Sequence, residues 1–321
     1  MKFTLLLIIL AIITIQQKKS TILLDEFKKA KTLATTWEVC ANRHCKFANM
    51  TIEEAERLFP LQQLQPDLLN PIEGLQYSEP KDDNINEEKY EDLPTNFDAR
   101  SIWPNCIHPV RDQQMKCGSC YSHATSESLS DRFCIKSNQK INVVLSVQDT
   151  VSCGTLWCNG CDGCLPPYFW FHSTSSGLVT EDCYPYLAVQ TECAISKKTC
   201  VDPKVTYKKY NAKFSSLKFP YKNINNVKQE IFTNGPVAFH FFVYLDYLSY
   251  KGGIYVPTSK TRVGSHLVKC IGWGYDETSK LNYWLIQDSQ GTGFGENGFV
   301  RFAMGYCGIE DHVTYAEPVI E

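Results

Sequence analysis

The spacing of apolar positions changes several times along the chain. Met1-Lys2-Phe3 leads into an apolar run from Thr4 to Ile15. With its positive start and a length short of the roughly 20 residues of a membrane span, it predicts a signal peptide over residues 1–17. Leu24, Phe27, Leu33 and Trp37 then recur at roughly helical spacing. Thr51 and Glu54 form a capping box that opens a short helix ending at Pro60. From Lys81 to Asp92 almost nothing apolar remains, so this stretch should stay solvated and open to proteolysis. Residues 18–92 therefore read as a pro-segment removed near Leu93.

Beyond Leu93 the texture changes. A buried helix is expected after Cys120, carried by Ser122, Ala124, Ser126, Ser128, Leu129 and Phe133, and Gly- and Cys-rich loops follow from Cys153. After Val205 aromatic and β-branched runs predict strands at Val237–Val243, Ile254–Val256, His266–Trp273, Tyr283–Gln287 and Phe299–Phe302. A helical, disulfide-rich half of about 108–204 and a β-rich half of about 205–321 give an α+β class with two lobes in one domain, 93–321. No later segment is apolar enough to span a bilayer, and there is no internal repeat.

The net charge of −3 supplies no basic field for nucleic acid. The 15 cysteines change the picture more. In a chain entering the secretory pathway they imply a disulfide framework, and an odd count leaves at least one thiol unpaired. The sequon Asn49-Met50-Thr51 is compatible with a glycosylated pro-segment.

Cys117-Gly118-Ser119-Cys120-Tyr121 is the sharpest local feature. A C-x-x-C pair reads as a redox couple, a metal half-site, or a nucleophile beside a structural disulfide. The redox reading lacks a βαβ context. A cysteine in the first turn of a helix sits at the positive end of the dipole, which favours thiolate.

Pro109-Val110-Arg111-Asp112-Gln113, followed by Cys117-Gly118-Ser119-Cys120, resembles the active-site segment of the papain-like cysteine peptidases. Leu93-Pro94 with Phe97-Asp98-Ala99-Arg100, Asn234-Gly235-Pro236-Val237, Gly264-Ser265-His266, Gly272-Trp273-Gly274 and Cys307-Gly308-Ile309-Glu310 extend the likeness in order over roughly 230 residues. Thr35-Thr36-Trp37 is similar to a cathepsin B pro-region, and cathepsin B-like enzymes match best. The resemblance implies a papain-like two-lobed fold, one lobe helical and one barrel-like. It implies a cysteine-type endopeptidase working through a thioester acyl-enzyme and made as an inactive precursor. Cys120 would be the nucleophile and His266, 146 positions on, its base. Asp288 would orient the imidazole, since Asp288-Ser289-Gln290 stands where the family has Asn-Ser-Trp. The oxyanion donor would be Gln113 by motif, or Gln114 by counting back from Cys120. His123, one helical turn past Cys120, is the rival base but reads as a packed structural histidine.

The resemblance also implies the bridges Cys106–Cys134, Cys117–Cys161 and Cys153–Cys158. It points to a substrate-binding set of Gly163, Cys164, Ser265 and His312. Cys164 stands where the family has Gly, so either a side chain intrudes or a new bridge forms. His312 replaces an acidic residue at the base of the S2 pocket, which disfavours Arg at P2. The stretch from Cys183 to Cys200 lacks the paired histidines that block the cleft of cathepsin B, which points to endopeptidase action rather than dipeptide trimming. Clustered cysteines at 158, 161 and 164 invite a zinc reading, but disulfide wiring fits a secreted chain better. No metal or cofactor is expected. The partners are peptide or protein substrates and the chain's own pro-segment, on a monomer, in a lysosome, digestive vacuole or outside the cell. A competing reading is a catalytically weak homologue serving as a secreted binding or structural protein. A third is a thiol oxidoreductase using Cys117 and Cys120.

Overall fold

A computed structural model describes residues 23–60, 93–156, 158–164, 168–219 and 223–320. The expected signal peptide and the acidic linker lie outside these residues. The described chain builds an α+β fold with two walls, one helical and one of sheet.

The N-terminal segment begins with α1, residues 23–33. Its buried face is Leu23, Phe27 and Ala30, while Leu33 is exposed. Trp37 is not on this helix. It belongs to strand β1, Trp37–Val39, whose partner is β4. The apparent helical spacing thus joined two elements, because a large aromatic side chain fits a pleated surface at least as well as a helix. The capping box does form at the head of α2, Ile52–Leu58. A disulfide, Cys40–Cys45, closes the loop between β1 and α2. Phe27, Trp37, Phe47 and Phe59 are buried in the same apolar cluster as the large sheet, so this segment packs on the β wall.

In the remainder, β2 (Phe97–Asp98) and α3 (Ala99–Ile102) lead to the central helix α4, Cys120–Lys136. Helices α5 (Val147–Cys153) and α6 (Tyr168–Ser175) complete the helical wall. Then follow α7 (Ile224–Asn234), β3 (Val237–Tyr244), β4 (Tyr250–Tyr255), β5 (Arg262–Asp276), β6 (Leu281–Gln287), β7 (Phe299–Ala303) and β8 (His312–Thr314). The sheet runs β1-β4-β7-β6-β5-β3-β8, with β2 also on β5. The five strands expected from the sequence fall on β3 to β7, with Val256 one residue past the end of β4.

Helix α4 carries no apolar stripe: every residue from Cys120 to Cys134 is buried. Several of its hydroxyls are satisfied within the helix. Ser126, Ser128 and Ser130 each donate to the carbonyl one turn back, at 2.6 Å. Short hydroxyls let this helix be enclosed on all sides without a hydrophobic face.

The two walls meet across a buried ionic network. Lys269 on β5 donates to Asp131 Oδ2 on α4 at 2.7 Å and lies 3.8 Å from Glu127. His108 meets Asp131 Oδ1 at 2.6 Å, and Gln287 on β6 donates to Glu127 at 3.2 Å. Two acids share one lysine, so one acid is poorly compensated. Burial pushes the Glu127 carboxyl up, and Lys269 and Arg111 offset it only in part, leaving it at about 7.

Folded Glu127 therefore holds its proton well above the pH of about 4.3 at which an unfolded glutamate loses it. Its contribution to stability is full below that pH and is lost as pH rises through 7. We expect the stability gap between wild type and Glu127→Gln to move against wild type by on the order of 2 kcal/mol between pH 4 and pH 8. Thermal melts at stepped pH measure it, and a gap that does not change with pH contradicts this account.

Candidate active site

Cys120 is the first residue of α4, and its sulfur is unpaired. Its backbone N–H falls in the first turn, where a helix leaves donors without intrahelical partners. Ser119 caps the helix by backbone geometry with no side-chain cap. The next residue, Tyr121, is buried and donates to the Gly160 carbonyl at 2.8 Å, which ties the helix head to the 158–164 loop.

The opposite wall supplies an imidazole. His266 lies on β5, and Asp288 follows the last residue of β6. The antiparallel pairing sets Lys269 against Gln287, which brings Asp288 alongside His266. His266 Nε2 and Asp288 Oδ1 are 2.9 Å apart, and both side chains are fully buried. The other ring nitrogen, Nδ1, has no hydrogen-bond partner among the described residues. Burial disfavours the charged ring and is the largest single influence. The charge and hydrogen bond of Asp288, joined by the influence of Cys120, outweigh it and push the imidazole up to about 10. Thiol and imidazole are thus electrostatically coupled, with the ring biased towards imidazolium.

His123 shares the helix with Cys120, but its ring faces Ser119 and Tyr186. Burial, with Arg111 nearby, pushes it down to about 3, which leaves it a poor base.

The two glutamines separate clearly. Gln113 is buried; its Nε2 donates to the Cys117 carbonyl at 3.1 Å, and its Oε1 accepts from the Ser289 hydroxyl at 2.6 Å. Gln114 is exposed, with φ at +61°. Of the two, the glutamine given by motif is the buried one, and the one given by counting back lies at the surface.

Gly163, Cys164 and Ser265 line a small cavity beside Cys120. His312 does not line it. It stands on β8 behind His240, which pairs with Leu267 on one side and His312 on the other. His240, given no role by the sequence, forms part of the cavity wall. Burial pushes its ring down to about 3, so it is a neutral lining group. The alternation of β3 could have shown which face His240 takes, but not that this face borders the thiol.

The disulfides require one correction. Cys106–Cys134 and Cys117–Cys161 are bonded in the structure, but Cys153 is bonded to Cys193, and Cys158 to Cys164. The additional cysteine at 164 takes Cys158 across a loop of six residues, a short and entropically cheap closure. The loop turns back at Gly163, whose φ of +95° suits glycine, and is clasped by Asn159 N–H donating to the Gly163 carbonyl at 2.9 Å. Cys164 thus forms a bridge and also borders the cavity. Cys183–Cys200 is the sixth bond, and the three unpaired thiols are Cys120, Cys270 and Cys307.

The N-terminal segment occupies this cleft. Pro60 borders the cavity with Cys120, and Phe59 packs its ring edge-on to His266, centroids 5.0 Å apart. Ser265 donates to the Phe59 carbonyl from its backbone at 3.2 Å and to the Pro60 carbonyl from its hydroxyl at 3.1 Å. A Cβ at Gly264 would lie 1.6 Å from the Phe59 oxygen, so only glycine lets the segment pass so close. Lys46 donates to both oxygens of Asp112 at 3.0 Å and to the carbonyl of Gln290. The Gln290 amide is buried with neither end bonded among the described residues, which leaves two desolvated polar atoms uncompensated.

Among the described residues no group of acidic, histidine and cysteine side chains could hold a metal ion, and no helix is long and apolar enough to cross a membrane.

A profile of the papain family cysteine protease domain matches residues 93–317. Cathepsin B-like cysteine proteinase 4 of Caenorhabditis elegans is 36% identical over 267 residues, which covers 74% of this chain and 78% of that protein. Cathepsin B-like cysteine proteinase 5 of the same organism is 36% identical over 273 residues, with the same two coverages. Procathepsin B S9 of Trypanosoma congolense superposes with a TM-score of 0.77 at 25% identity, covering 92% of this chain and 97% of that one. Digestive procathepsin L2 proteinase of Tenebrio molitor superposes with a TM-score of 0.69 at 23% identity, covering 95% and 91%.

Burial pushes the thiols of Cys270 and Cys307 far up, whereas Cys120 sits at a helix head beside His266. In folded protein cleared of residues 23–60, iodoacetamide at neutral pH should modify Cys120 alone of the three. Peptide mapping by mass spectrometry checks this, and equal labelling of Cys270 or Cys307 would contradict it.

Proposed function

The chain belongs to the papain family of cysteine proteases, and from that premise we propose that it is a cathepsin B-like endopeptidase made as an inactive precursor. One observation carries the proposal: the unpaired thiol of Cys120, at the head of a buried helix, is coupled to an imidazole that Asp288 holds from its other side.

The geometry supports a two-step hydrolysis. Cys120 Sγ, as thiolate, attacks the peptide carbonyl carbon, and the oxyanion develops near the helix head. Two donors suit it. One is the Cys120 backbone N–H. The other is the second N–H of the Gln113 amide, whose first is taken by Cys117. His266 passes its proton to the departing amine, leaving a thioester on Cys120. A water then gives a proton to His266 and attacks the thioester, and the carboxylic acid product leaves as Sγ is released.

Latency follows from the placement of the N-terminal segment. Pro60 and Phe59 lie between the thiol, the imidazole and solvent, so a substrate must displace them. We take residues 18–92 as the inhibitory pro-segment and cleavage near Leu93 as the activating step. The disulfide framework fits a secretory, lysosomal or digestive setting, and the enzyme acts as a monomer.

The cleft-blocking histidines of cathepsin B have no counterpart between Cys183 and Cys200, which favours internal cleavage over release of C-terminal dipeptides. His312 and the neutral His240 supply no anion for a P2 arginine, so apolar P2 side chains suit the pocket better.

The central test is labelling of the matured protein with a mechanism-based epoxide. The adduct should map to Cys120, and Cys120→Ser should abolish both labelling and peptide hydrolysis. Inertness of the matured wild type would remove the proposal. Asp288→Asn removes the charge that favours imidazolium, so the alkaline limb of kcat/KM should move to lower pH by about one unit; an unmoved limb argues against this role for Asp288. On a fluorogenic panel, internal cleavage with apolar P2 should dominate. Sequential release of C-terminal dipeptides, or a preference for Arg at P2, would contradict the specificity assigned here.

A further inference from the structure

Asp288 has a second partner that no motif marks. While Oδ1 faces His266, Oδ2 accepts a hydrogen bond from the Tyr247 hydroxyl. We propose that Tyr247 is a positioning residue for the reaction: it holds the second oxygen of Asp288 and draws off part of the negative charge that would otherwise fall on the His266 imidazolium. The proposal rests on the assignment of Cys120, His266 and Asp288 above and extends it to a side chain outside every recognised segment.

The chemistry of a buried acid at position 288 carries the argument first. A carboxylate is acceptor-only, and at 1% exposure it must find its donors within the protein. His266 satisfies one oxygen. Without Tyr247 the other would be a buried, unsatisfied anionic group, the costliest kind to leave unpaired.

Placement carries it next. Tyr247 lies on a single turn of 3-10 helix, Leu245–Ser249, between β3 and β4. Its ring packs against Phe241, Tyr255, Phe294 and Phe302, with centroids 5.1 to 6.2 Å away. The turn is fixed by its neighbour Asp246, which accepts from the Tyr255 hydroxyl and from Thr258 and Ser259. The hydroxyl is therefore aimed rather than free to swing. It also keeps its proton: burial above all, and then the Asp288 charge, hold the phenol well above its ordinary range. A neutral donor of this kind weakens the carboxylate as a base without removing its charge. That balance matters because the imidazolium must surrender its proton to the leaving amine. A counter-ion that grips it too firmly slows acylation.

The other ionisable groups facing this unit are Cys120, His123 and His240 around His266, and Tyr250, Tyr255 and Cys307 around Tyr247. Burial keeps His123 and His240 neutral at working pH and raises both tyrosines and Cys307, so none of these five titrates with the imidazole.

The test compares matured wild type, Tyr247→Phe, Asp288→Asn and the double variant, each checked by thermal melt. The readouts are the pH dependence of kcat/KM on a fluorogenic peptide and the pH dependence of Cys120 alkylation. Tyr247→Phe should raise the alkaline limb by about half a pH unit and lower kcat several-fold with KM little changed. In the Asp288→Asn background the same change should move neither quantity. An alkaline limb that stays or falls in Tyr247→Phe, or an equal shift in the Asp288→Asn background, overturns the proposal. Should Tyr247→Phe not fold, 3-fluorotyrosine at 247 donates more strongly and should move the limb down; an unmoved limb again overturns it. A wild type that neither hydrolyses peptide nor reacts at Cys120 removes the catalytic reading itself, a result distinct from an active wild type indifferent to Tyr247.

Discussion

Fifteen cysteines are folded so that twelve are bonded and one of the remaining three faces an imidazole across the cleft. Everything else in the site depends on keeping that sulfur apart from its many possible partners. The separation is geometric. Cys117, three residues earlier, is held by Cys161, and Cys164, which borders the same cavity, is held by Cys158. Each neighbour that could capture Cys120 is already taken. The remaining unpaired thiols lie in the sheet half, Cys270 buried and Cys307 half-buried, and both are poorly ionised.

The helix that presents the sulfur is held by charge as much as by packing. Asp131 and Glu127 reach from α4 to Lys269 on the very strand that carries His266, three residues away. The spacing between thiol and imidazole is thus set by a buried ionic contact between the two walls, and that contact is better satisfied in acid than at neutral pH.

Much of this was legible before any coordinates. Strands β3 to β7 could be read because aromatic and β-branched runs end at Gly, Asn and Pro. The capping box at Thr51 could be read because it is a local contact between side chain and backbone. The positions of Cys120, His266 and Asp288 followed from ordered motifs. What escaped was non-local. Trp37 was grouped with a helix because spacing alone does not reveal that a strand partner lies more than 200 residues away. Cys153 was paired with Cys158 because an extra cysteine re-routes two bonds at once, and sequence carries no connectivity. His240 and Tyr247 carry no motif; each matters only because the register of the sheet brings it to the thiol or to the acid.

Every bridge lies before residue 201, one in the N-terminal segment and five in the half that carries Cys120, while the half that carries His266 has none. The two sides of the cleft are therefore made durable by different means, one by covalent ties and the other by an aromatic interior. Reductant keeps the Cys120 sulfur as a free thiol yet loosens the very scaffold on which it is mounted, and leaves the opposite face indifferent. The working life of such a molecule is bounded by the redox poise of its surroundings on both sides: too oxidising silences the sulfur, too reducing unties its support.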